Sequence, residues 1–91
     1  MAKVVVLLRV LPEDVETSPQ DILEGIRAQL PSKYEVVKHE VEPIAFGLKA
    51  LKLTVFMPEE HEGGTEELER LISEVQGVSQ VDVLAVSRLS T

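Results

Sequence analysis

Apolar residues run almost unbroken through KVVVLLRVL, residues 3–11, with Arg9 the single charge inside the run. A β-branched and Leu-rich run of this length predicts a central strand covered on at least one face, and Pro12 ends it. The following segment, PEDVETSPQ, replaces the apolar run with turn formers and the carboxylates Glu13, Asp14 and Glu16. There Ser18, Pro19 and Asp21 have the character of an N-cap, a first helical residue and a first-turn acid. Ile22, Leu23, Ile26 and Leu30 then fall on one helical face and Pro31 stops the pattern, which predicts a helix over residues 19–30. From Tyr34 to Val41 the apolar positions are sparser and charges intervene, as in a strand with one solvated face or an edge strand, closed by Pro43.

Beyond Gly47 the alternation is clear: Leu51, Leu53, Val55 and Met57 face one way, Lys52 and Thr54 the other, up to Pro58. The acidic EEHEGG reads as a solvated turn, and Thr65 with Glu66 and Glu67 as the start of a second helix, where the helix dipole favours negative charge. Leu68, Leu71, Ile72 and Val75 keep helical spacing, and Gly77 stands where a left-handed C-cap belongs. VSQVDVLAVSRL is the last strand. The order strand, helix, strand, strand, helix, strand is the split βαβ pattern of an α+β, ferredoxin-like sandwich, with four antiparallel strands and both helices on one face. Its second and fourth strands would lie at the edges. No repeat, linker or low-complexity tract divides residues 1–91, so a single domain is expected.

Composition narrows the chemistry. A chain that is 44% hydrophobic with dispersed charges is expected to fold, and without cysteine it has no disulfide, thiolate metal site or Cys nucleophile. That usage fits a reducing, cytoplasmic setting. Arg9 interrupts the only run resembling a secretory segment, and no stretch approaches the roughly 18 apolar residues of a membrane span. A net charge of −7 opposes direct nucleic-acid binding, which depends on Lys and Arg at the phosphates, and suits a positively charged protein partner. Strands one and three present Val, Leu, Lys and Thr where an RNA-recognition sheet needs aromatics for base stacking, and the acids after the first strand would repel a phosphate. His39 and His61 lack a second ligand at metal spacing, and the acidic loop lacks the alternating ligands and central Gly of a calcium loop. No Ser or Thr has a base to activate it, so no enzyme active site is expected. No metal or cofactor is implied.

What remains is VEPIAFGLKALKLTVF, where Pro43 and Gly47 bracket the apolar Ile44, Ala45 and Phe46 in what should be a polar loop. Two readings of Phe46 are open: a residue folded back over the core edge, or an anchor that a short, restricted loop holds out for a partner.

The stretch VEPIAFGLKALKLTVFMPEE resembles the central segment of the guanine-nucleotide exchange domain of the translation elongation factor 1-beta family, at Pro43, Ile44, Phe46, Gly47, Leu48, Lys49 and Leu51. LPEDVETS is similar to that family's acidic loop after the first strand, and QVDVLAVSRL to its terminal strand. In length the chain resembles the short archaeal form. The resemblance implies a factor that promotes GDP release from the GTPase elongation factor 1A so that GTP can rebind, by binding and without covalent chemistry. It further implies partner contacts at Phe46, Gly47, Lys49 and Arg88, with Arg88 in the position of a basic residue set against the partner's magnesium and phosphates. The eukaryotic pattern has Lys at Arg88 and Gly at Ala45, and Ser90 and Thr91 extend past the usual end. A monomer is expected when free. The alternative is a regulatory ferredoxin-like module that binds a small molecule as a strand-paired dimer.

Overall fold

A computed structural model describes residues 3–58 and 64–89, with Leu89 described by its backbone alone. Its elements follow the expected order: β1 (Lys3–Pro12), α1 (Pro19–Gln29), β2 (Glu35–Pro43), β3 (Lys49–Pro58), α2 (Glu66–Ser73) and β4 (Val78–Leu89). The strands form one antiparallel sheet in the order β2-β3-β1-β4, so the ferredoxin-like α+β architecture is observed. Most of the acidic turn, residues 59–63 with His61, lies outside the described residues, as do Ser90 and Thr91. His39 is exposed on β2.

The alternation in sequence becomes a two-faced sheet. Val6, Leu8 and Val10 pair across the β1–β3 ladder with Val55, Leu53 and Leu51. These six side chains are buried and pack with Ile22, Leu23 and Ile26 of α1 and Leu68 and Ile72 of α2 in one apolar cluster. Both helices therefore cover the same face. The intervening residues Val5, Leu7, Arg9 and Leu11 are half-buried on the other face, where Arg9 meets Asp82 at 3.9 Å.

Helix boundaries differ from expectation in small, explicable ways. Ser18 occupies the N-cap of α1 and its carbonyl accepts from the Ile22 N–H at 3.1 Å, but its hydroxyl makes no cap bond. Thr65 caps α2 by position, while its hydroxyl donates to the Glu69 carboxylate at 2.8 Å. Helix α2 stops at Ser73, earlier than the apolar spacing implies, and Val75 sits in the turn that follows. Gly77 has the expected left-handed backbone, φ 93°, but closes this turn rather than directly capping the helix. A Cβ at Gly77 would stand 2.9 Å from the Thr17 methyl, so the position also needs glycine for space.

Both edge strands carry an irregularity. The β2 ladder shifts register between Val36 and Lys38, and the β4 ladder between the partners of Leu7 and Leu8, where Leu84 is the extra residue. Bulges of this kind twist an edge and discourage pairing with another chain.

Tyr34 is drawn out of the strand expected to begin there and into the core, with its ring buried and its hydroxyl donating to Glu67 at 2.8 Å. Glu67 also pairs with Lys33 at 2.8 Å. Burial, then the bond to a carboxylate, push the phenol's ionisation well above its ordinary range. The folded state thus holds the proton where the unfolded chain would release it. Its contribution is present in full below about pH 10, the ordinary tyrosine value, and is lost progressively above it. Urea unfolding across pH 8–11 should show wild type losing stability above pH 10 more steeply than Tyr34→Phe, which at pH 7 should be less stable by about 1 kcal/mol.

Candidate functional site

The β2–β3 hairpin closes over the five residues 44–48. Pro43 and Lys49 are the last paired positions; the Ile44 N–H donates to the Leu48 carbonyl at 2.9 Å, and the Leu48 N–H donates to the Ala45 carbonyl at 3.2 Å. Between them Phe46 has φ 61° and ψ 30°, and Gly47 has φ 80°. Two successive residues at positive φ across such a bond make a turn of type I′, whose twist matches that of paired strands and whose preferred sequences are Asn-Gly, Asp-Gly and Gly-Gly. Glycine fits the second position. Phenylalanine at the first is anomalous, because left-handed backbone costs an ordinary L-residue roughly 1–2 kcal/mol.

Burial does not offset that cost. Phe46 is 93% exposed, so of the two readings open in the sequence, the core residue is excluded. Lys49 is exposed beside it, at the start of β3. The turn lies against the loop after β1: a Cβ placed on Gly47 would come within 3.5 Å of the Val15 side chain. Val15 was not singled out from the sequence, although its signal is there, an apolar residue set between Asp14 and Glu16.

Arg88 belongs to a different region. It is exposed near the end of β4, opposite Val4 of β1, which in turn pairs with Met57 of β3. From Met57 back to Lys49 the chain runs the length of β3, roughly 27 Å at strand rise. Phe46, Gly47 and Lys49 thus cluster at one end of a body 41 Å long, and Arg88 stands near the other. The Leu84 bulge sets the face Arg88 takes: the residue pairs with Val4, whose side chain packs against the core, so Arg88 lies on the helix side of the sheet.

Concavities on the surface are shallow and open. A groove of about 500 Å³ runs between the β1–α1 loop and the α2–β4 turn, lined by Glu13, Glu16, Asp21, Gly25 and Val75 among others. Its carboxylates oppose any phosphate-bearing ligand. Among the described residues no group of three or more His, Asp or Glu is arranged to hold a metal ion, and no helix is long and apolar enough to cross a membrane.

Comparison with known proteins gives this arrangement a family. Residues 5–89 match the EF-1 guanine nucleotide exchange domain. The chain belongs to that family. It is similar to the elongation factor 1-beta of Thermofilum pendens, 62% identical over 90 residues with 99% of each chain covered. With the elongation factor 1-beta of Staphylothermus marinus it shares 58% identity over 90 residues, covering 99% of this chain and 100% of the relative. Among solved structures, LarC2, the C-terminal domain of a cyclometallase involved in the synthesis of the NPN cofactor of lactate racemase, superposes with a TM-score of 0.64 at 14% identity, over 99% of this chain and 58% of that one. At that identity the likeness concerns the fold alone. Membership of the EF-1 exchange family gives the chain its role, guanine nucleotide exchange in translation elongation.

Two substitutions read the turn's energetics directly. Phe46→Asn supplies the residue type that favours φ above zero, and urea unfolding should show stability equal to or above wild type. Gly47→Ala should lower it by about 1–2 kcal/mol, since φ 80° admits no Cβ without strain.

Proposed function

We propose that the chain binds the GTPase elongation factor 1A and accelerates GDP release through two separated contacts, in the cytoplasm and as a single domain that is monomeric when free. The match to the exchange family along residues 5–89 carries this reading. At one end Phe46, presented by the type I′ turn with Gly47 and Lys49, docks on the partner. At the other, Arg88 brings a permanent cation towards the partner's magnesium and nucleotide phosphates. Magnesium bridges phosphate oxygens and GTPase side chains, so a cation competing for that neighbourhood weakens nucleotide binding without any bond being made or broken.

The separation of the two contacts supports a division of labour. A docking contact roughly 27 Å or more along the sheet from Arg88 supplies affinity with no need to touch the nucleotide. Exchange then follows from linkage: a factor that weakens GDP binding must itself be held less tightly by the GDP-bound partner. The strand-paired dimer has less support, because both edge strands are bulged.

Release of a fluorescent GDP analogue from an archaeal elongation factor 1A, at fixed magnesium, tests the reading. The rate should rise with the concentration of this protein, and an unchanged rate would refute it. Arg88→Ala should slow release at saturating protein by about tenfold or more while changing affinity little; unaltered release would remove Arg88 from the mechanism. Phe46→Ala should instead raise the concentration needed for half-maximal acceleration by about tenfold, equivalent to about 1.4 kcal/mol of binding.

A further inference from the structure

Val15 and Phe46 come from loops far apart in sequence, yet the fold sets those loops side by side. Each is held by its own backbone. The Asp14 carboxylate accepts from the N–H groups of Glu16 and Thr17, at 2.9 and 3.1 Å, and from the Thr17 hydroxyl at 3.1 Å. The Glu13 N–H donates to the Gly77 carbonyl at 2.9 Å. With Asp14 turned to its own loop, the chain carries Val15 outward, 60% exposed. The hairpin bonds hold Phe46 outward in the same way. Two exposed apolar side chains on two ordered loops lose little conformational freedom when covered.

Charge decides what covers them. Segments 12–18 and 42–49 contain Glu13, Asp14, Glu16 and Glu42 against the single cation Lys49. A second copy of this chain would bring the same acids to the contact, and an anionic lipid surface would be repelled in the same way. A protein surface with an apolar depression and basic margins is complementary.

We infer that Val15 and Phe46 form one docking surface, flanked by Glu13 and Glu16, that seats in an apolar depression with a basic rim on the GTPase partner. The inference rests on the proposed function and extends its docking contact to the loop after β1. Val15 supplies the second apolar contact; the carboxylates beside it supply orientation and a salt-sensitive part of the affinity.

The test is titration of nucleotide-free archaeal elongation factor 1A with wild type, Val15→Asp, Val15→Leu, Phe46→Ala and the double variant Glu13→Lys/Glu16→Lys, at low and moderate salt. Val15→Asp should weaken binding about tenfold or more with the melting temperature unchanged, and Val15→Leu should bind like wild type. The double variant should weaken binding and lose most of the wild-type dependence on salt. Val15→Asp and the double variant binding like wild type while Phe46→Ala binds weakly would overturn the joint surface and leave the exchange reading standing. Absence of wild-type binding would overturn both.

Discussion

The packing of alternate β1 and β3 residues against the two helices holds the rest of the molecule in place. Val6, Leu8 and Val10 face Val55, Leu53 and Leu51 across the ladder, and all six lie beneath Ile22, Ile26, Leu68 and Ile72. A slip of one residue in this ladder would turn the buried set to solvent, so register here is strongly specified. Register then fixes geometry at the ends. It sets where β2 must turn into β3, which strand end lies beside the β1–α1 loop, and how far Arg88 stands from Phe46.

The two ends differ in construction. At the hairpin end, a turn that Asn-Gly would satisfy without strain instead carries Phe-Gly, with its ring in solvent. Local strain combined with an exposed aromatic is the pattern of a residue kept for binding at the expense of stability. At the other end a bulged strand brings a guanidinium to the helix side of the sheet. A rigid body with an exposed aromatic at one end and a cation at the other suits the proposed exchange, which needs a partner's affinity for GDP to change and no covalent step.

Much of the fold was legible in the sequence because it depends on period. Leu51, Leu53, Val55 and Met57 alternate, Ile22, Ile26, Leu68 and Ile72 recur at helical spacing, and all are buried as the pattern requires. The bulges were harder to see. Their signals are adjacent apolar pairs, Val36–Val37 and Leu84–Ala85, which break an alternation that a strand otherwise keeps. Tyr34 could not be assigned because the acceptor of its hydroxyl, Glu67, is brought up by α2 from more than thirty positions away. The candidate site was visible as residues but not as a surface. Phe46 stood out as an aromatic between Pro43 and Gly47 where a loop should be polar, yet its exposure follows from a turn type that Phe disfavours, and composition alone would have placed it inside. Val15 became relevant only when the fold laid its loop against Gly47, and the distance from Phe46 to Arg88 existed only once the three-strand register was known.

A domain that drives exchange must prefer one nucleotide state of its partner. The most direct measurement is its equilibrium affinity for elongation factor 1A in the nucleotide-free and the GDP-bound forms, under one set of salt and magnesium conditions. Tighter binding to the empty form, by the same factor through which the domain weakens GDP affinity, is what linkage requires. Equal affinities for the two forms would mean that the domain does not drive exchange, however tightly it binds.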